Sequence, residues 1–61
     1  MAKTFSDING DIYEVDQVDY LDTDNDIISD KITGYFAYMM NDDKVEVQKK
    51  IYEAIKDYKK L

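Results

Sequence analysis

Cysteine and histidine are both absent from the chain. Without cysteine there is no disulfide framework and no thiolate zinc site, and a reducing compartment, the cytoplasm, is the expected location. Without histidine the Ser-His-Asp and Cys-His constellations are excluded, together with the usual proton carrier near neutral pH and the commonest transition-metal ligand. Arginine is missing too, and proline with it. No apolar run approaches the roughly 18 residues of a membrane span, and the N-terminus Met-Ala-Lys-Thr-Phe-Ser-Asp lacks the apolar stretch of a signal peptide. No membrane contact is expected.

What is present is small. The 61 residues imply one domain over 1–61, exposing about 4,000 Å² when folded against roughly 10,000 Å² unfolded. Such a core has room for about ten side chains and little room for a catalytic cleft of about 300 Å³ or more. The 44% hydrophobic content nonetheless favours a folded domain over a disordered tail. Dimerisation is a common way for chains of this size to gain stability, so a homodimer is a possible state.

Charge is the informative quantity. Eight lysines stand against 14 acids, for a net charge of −6. From Thr4 to Asp30 there are nine acids (Asp7, Asp11, Glu14, Asp16, Asp19, Asp22, Asp24, Asp26 and Asp30) and no base. From Lys31 to Leu61 there are seven lysines and five acids. Direct nucleic-acid binding is disfavoured, because phosphate contacts need a basic footprint. A basic partner is favoured instead.

Local patterns predict an α+β fold. Asn9-Gly10 lies between Thr4-Phe5-Ser6 and Ile12-Tyr13-Glu14, a strong hairpin signal. A three-residue loop Ile8-Asn9-Gly10 with a glycine bulge sets Phe5 opposite Tyr13 and gathers the apolar residues on one face. The strand runs on to about Leu21, but its apolar phase changes from odd (Tyr13, Val15) to even (Val18, Tyr20), which calls for a bulge or bend near Asp16-Gln17. Thr23–Asp26 reads as a loop. In 27–40, Ile32, Thr33, Tyr35, Phe36 and Tyr38 are strand formers, whereas Ile28, Ile32, Tyr35, Phe36 and Met39 also suit an amphipathic helix; strand is the expectation. Asp43 with Glu46 resembles a capping box, and Val47, Ile51, Ala54, Ile55, Tyr58 and Leu61 form a stripe, so a helix of about 27 Å is predicted from residue 43 onward. The expected architecture is an antiparallel sheet of about three strands (the N-terminal hairpin plus a third strand) with the C-terminal helix packed on one face. Its expected core is Phe5, Tyr13, Val15, Ile32, Phe36, Val47, Ile51, Ile55 and Tyr58.

Chemistry-bearing motifs are sparse. Asp22, Asp24 and Asp26 match the alternating acids that open an EF-hand loop, but Ile27 replaces the turn glycine and Thr33 the bidentate Glu. These three acids would hold a divalent cation only weakly, and no metal or other cofactor is expected. Glu14 and Asp16 could pair for acid-base work, yet no histidine, metal or pocket orients a substrate. Ser6 and Ser29 lack an activating base. No enzyme is expected.

Six tyrosines exceed what so small a core needs. They either wall the core or, at Tyr20, Tyr35 or Tyr38, anchor a partner. Acids on a strand project from one face about 6.7 Å apart, so 14, 16, 19, 22, 24, 26 and 30 could form a row comparable with a nucleic-acid backbone. The expected role is therefore a small acidic protein that occupies the basic, nucleic-acid-binding site of a partner through Glu14, Asp16, Asp19, Tyr20, Asp22, Asp24, Asp26, Asp30 and Tyr35. The alternative is a structural module that dimerises through its apolar and tyrosine surface. Lysine without arginine, with abundant Ile, Asn, Asp and Tyr, matches an AT-rich coding sequence and would suit a small bacterial, phage or plasmid protein.

Overall fold

The computed structural model describes residues 3–61; Met1 and Ala2, which begin the N-terminus expected to lack a signal peptide, lie outside the described residues. The elements run β1 (Thr4–Ser6), β2 (Ile12–Glu14), a 3₁₀ turn (Val15–Gln17), β3 (Val18–Asn25), β4 (Ile32–Met39), β5 (Lys44–Val47) and α1 (Lys49–Lys59). The fold is α+β. β1 and β2 form a two-stranded sheet, while β3, β4 and β5 form a three-stranded antiparallel sheet in that order. No helix among the described residues is long and apolar enough to cross a membrane.

The hairpin has the expected register, with Phe5 opposite Tyr13 and their ring centroids 5.7 Å apart. Its turn is held from within. The Asp7 carboxylate accepts hydrogen bonds from the N–H groups of Asn9 and Asp11, both at 2.9 Å, and the Gly10 N–H donates to the Asp7 carbonyl at 3.1 Å. Gly10 closes the turn at φ +88°, where a side chain would be strained.

The change of apolar phase is resolved by the 3₁₀ turn. With three residues per turn, Val15 and Val18 point the same way, and both are buried. Beyond it β3 is longer than expected: Thr23–Asn25 belong to the strand, paired with Tyr35, Gly34 and Ile32. Asp19 is an extra residue between the Val18–Met39 and Tyr20–Tyr38 pairs, and Thr33 is an extra residue on β4. Residues 32–39 are strand, as their β-branched and aromatic content favours.

The predicted helix start is corrected. Asp42 and Asp43 make a turn instead of a cap: Met39 and Asp43 pair through the Met39 N–H at 2.8 Å, and Asp42 sits at φ +71°. Residues 44–47 then alternate Lys, Val, Glu, Val, with both valines buried, and form β5. Period-two burial outweighs the capping-box pattern. The helix begins at Lys49 after Gln48, which gives no side-chain cap, and ends at Lys60 in the left-handed conformation. Its 11 residues span about 16 Å, rather than the 27 Å expected.

One side of the three-stranded sheet is covered by the hairpin and α1. The core is Phe5, Val15, Val18, Ala37, Met39, Val45, Val47 and Ile55, with Tyr13, Leu21, Tyr35, Ile51 and Tyr52 packed against it. Three expected core members lie elsewhere. Ile32 is 49% and Tyr58 50% exposed, and Phe36 alternates onto the opposite sheet face from Tyr35 and Ala37. Val18, Ala37, Met39 and Val45 replace them.

Ile55 is among the largest fully buried side chains. Truncating such a residue costs about 2–5 kcal/mol, out of a total that for so short a chain is only a few kcal/mol. Ile55→Ala should lower the thermal midpoint by about 10 °C or more, or abolish the cooperative transition, in circular-dichroism melts. A fall below about 5 °C would contradict the assigned core.

Candidate functional site: the outer face of the sheet

Alternation leaves the second face of β3–β4–β5 free of the hairpin and helix. Register arranges its side chains in rows across the strands. Tyr20 lies beside Tyr38, and Tyr38 beside Lys44; Asp22 lies beside Phe36, and Phe36 beside Glu46; Asp24 lies beside Gly34. Tyr20 and Tyr38 stack with centroids 4.6 Å apart and planes 5° from parallel. Phe36 leans over Gly34: a Cβ added to Gly34 would lie 3.0 Å from Phe36 Cε2 and 3.2 Å from Cζ. The absence of a side chain at 34 is thus what lets the ring lie down on the sheet.

This face already holds a cation. Lys44 Nζ sits 4.2 Å from the Phe36 ring centroid and 5.8 Å from that of Tyr38. Ring faces attract ammonium and guanidinium groups through their quadrupole, by about 0.5–1 kcal/mol at exposed sites. With Asp22, Asp24 and Glu46 on the same face, the surface combines flat rings with carboxylates. Such a surface can bind cationic side chains.

The structure gathers only some of the expected site residues. Tyr20, Asp22 and Asp24 share the outer face, with Asp19 exposed at the bulge. Tyr35 does not join them: it faces the helix side, 5.0 Å from the ring of Tyr52. Glu14 ends β2 and Asp16 lies in the 3₁₀ turn, so the imagined row from 14 to 30 is interrupted before β3 begins. Asp26 and Asp30 belong to the β3–β4 loop, where Ile27 and Ile28 are each 97% exposed. Asp26 there serves the turn. Its carboxylate accepts the Ile28 N–H at 2.9 Å, and its carbonyl accepts the Asp30 N–H at 2.8 Å. Among the described residues no group of three acids is placed to hold a metal ion, Asp22, Asp24 and Asp26 included.

Phe36, Lys44 and Glu46 were not expected at the site. Their signal was the alternation itself: once Val45 and Val47 face the core, Lys44 and Glu46 must face outward. A second acidic neighbourhood surrounds Tyr13, whose hydroxyl pKa is raised by burial of the ring and by the carboxylates of Asp7, Asp11 and Asp43.

Among known proteins, no family model, no curated protein and no solved structure matches the chain.

Two outcomes follow from this geometry. In wild type the Lys44 side-chain protons lie over an aromatic face and should resonate upfield of their random-coil positions in a proton NMR spectrum. Gly34→Ala, by pushing the Phe36 ring aside, should reduce that shift, and Phe36→Leu should remove most of it; unchanged shifts would contradict the stacked lysine. Hydrogen bonding from the Ile28 N–H and Ser29 holds the Asp26 carboxyl below its ordinary value of 3.8. A depressed folded-state pKa gives stabilisation that is present above the unfolded value and is lost as pH falls through the folded one. Protection of the Ile28 amide should therefore decline once the pH drops below 3.8, and Asp26→Asn should show no such acid-driven step. Protection that rises on acidification would contradict the assignment.

Proposed function

We propose that the chain is a non-catalytic binding protein whose outer sheet face occupies a basic site on a partner protein, of the kind nucleic acid otherwise fills. The observation that carries this reading is the convergence of Asp22, Asp24 and Glu46 with the rings of Tyr20, Phe36 and Tyr38 on one side of the sheet. Lys44 over Phe36 illustrates the chemistry such a face favours. A lysine or arginine from a partner would meet rings below and carboxylates beside it, the combination that suits basic residues at interfaces. Against direct nucleic-acid binding stands the charge: stacking platforms for bases work with a positive groove, and this face is acidic.

The absence of catalysis in this proposal is supported by scale. Three surface hollows among the described residues measure about 180 to 260 Å³, smaller than typical substrate pockets of about 300–1,000 Å³. A second reading, self-association through an apolar surface, draws support from the nearly complete exposure of Ile27 and Ile28. Sedimentation separates the two: a dimer that persists in high salt and is abolished by Ile27→Ser with Ile28→Ser favours the second.

The proposal is tested by capturing proteins on the immobilised chain, identifying them, and competing with duplex DNA. Retained proteins should be basic nucleic-acid-binding ones and be displaced by DNA. Retention should fall about tenfold or more between 0.05 and 0.5 M salt, because screening shortens electrostatic reach to a few ångströms. Asp22→Asn with Asp24→Asn should weaken capture while leaving the melting temperature nearly unchanged, since both side chains are exposed. Salt-insensitive retention, or retention unaffected by the double substitution, would overturn it.

A further inference from the structure

We infer that the partner docks as an added strand along β3, through an extended segment that alternates basic and apolar residues. This rests on the basic-partner reading and specifies its mode.

β3 is an edge. Strand order ends at β3, whereas the other edge strand, β5, is met by the hairpin loop through a hydrogen bond from the Ile8 N–H to the Glu46 carbonyl at 3.1 Å. The start of the β3 edge is closed by Lys59, whose Nζ donates to the Val18 carbonyl. Further along, no described residue pairs with it. The Thr23 N–H turns away from β4 and donates to the carboxylate of Asp22 at 2.8 Å, which caps an otherwise unpaired amide. Antiparallel alternation places the backbone groups of Leu21 on the same open side.

The two flanks of this edge differ. On the outer face lie Tyr20, Asp22 and Asp24, alternate residues about 6.7 Å apart. A hollow of about 200 Å³ opens at the edge beside Leu21, walled by Tyr52, Lys56 and Leu61 from the helix side and bordered by Tyr20. A strand laid against β3, about 4.8 Å away, would send successive side chains alternately to these two flanks. Lysines or arginines would meet the carboxylates, and an apolar residue between them would fill the hollow. As it docks, its carbonyl would replace the Asp22 carboxylate on the Thr23 N–H and free that carboxylate for a cation. Main-chain pairing supplies affinity in this mode, and alternate side chains supply selectivity.

A second copy of the chain is the wrong occupant. Pairing β3 with β3 would set Asp19, Asp22 and Asp24 of both copies side by side, and like charges on adjacent strands destabilise a sheet. The same acids that refuse a copy admit a basic strand.

The test titrates the chain with the peptide Lys-Thr-Lys-Leu-Lys-Thr-Lys and with the same peptide N-methylated at the residues whose N–H groups would face the edge. N-methylation blocks pairing and keeps the charge. At saturation, amide exchange at Leu21 and Thr23 should slow by about tenfold or more, and N-methylation should weaken binding by about tenfold or more. Equal binding of the two peptides, or no protection at Leu21 and Thr23, overturns strand addition. If Asp22→Asn with Asp24→Asn still weakens both peptides in that case, the basic-partner reading stands without it. No binding of either peptide in low salt also overturns strand addition, and the acids then only keep edges of neighbouring copies apart.

Discussion

The structure depends on burying one side of a three-stranded sheet. β3, β4 and β5 present Val18, Ala37, Met39, Val45 and Val47 to a single side, and the hairpin and α1 close over it with Phe5, Val15 and Ile55. Among the described residues the hairpin and α1 are the elements outside this sheet, and both pack on that one side. The second sheet face therefore stays open to solvent, and whatever occupies that face is available for recognition. The molecule's asymmetry follows from this one-sided cover, and the proposed function follows from the asymmetry.

On the open face the side chains are not ordinary solvent-facing residues. Three aromatic rings lie there, and a lysine is drawn over one of them. Segregation of acid in the N-terminal half of the sequence becomes, in three dimensions, three different situations. Asp7 and Asp26 are structural, each holding a turn through its own carboxylate. Asp22 and Asp24 stand on the ring-bearing face beside an edge strand. Glu14 and Asp16 sit at the bend before β3. Net charge alone does not distinguish these roles, whereas hydrogen-bond partners and strand register do.

Much of the fold was legible because its signals are local. Asn9-Gly10 specifies its turn through the need for positive φ, and the shift of apolar phase around residue 16 requires a break in the strand, which the 3₁₀ turn supplies. The β5 strand was obscured because Asp43, Glu46 and the lysines after it satisfy helix rules well; only the burial of Val45 and Val47 against a sheet not yet assembled decides for strand. For the same reason Phe36 read as core. Its neighbours Tyr35 and Ala37 alternate with it, and no local rule says which of the two sets faces the helix. The site was legible in part: Tyr20, Asp22 and Asp24 were expected at the partner surface, but with 23–26 expected as a loop only the longer β3 sets all three on one strand face, and Lys44, Glu46 and Phe36 join them only through cross-strand register. Tyr35, by contrast, was misplaced by a choice of face.

In the proposed function the outer sheet face, rather than the overall negative charge, meets a basic partner. Two variants that change net charge equally test it: Asp22→Lys with Asp24→Lys on the sheet face, and Glu53→Lys with Asp57→Lys on the helix. Affinity for a captured basic partner, measured at one salt concentration by calorimetry, should be largely lost in the first and nearly retained in the second. Equal losses in the two variants would overturn that proposal and leave only a nonspecific attraction of opposite charges.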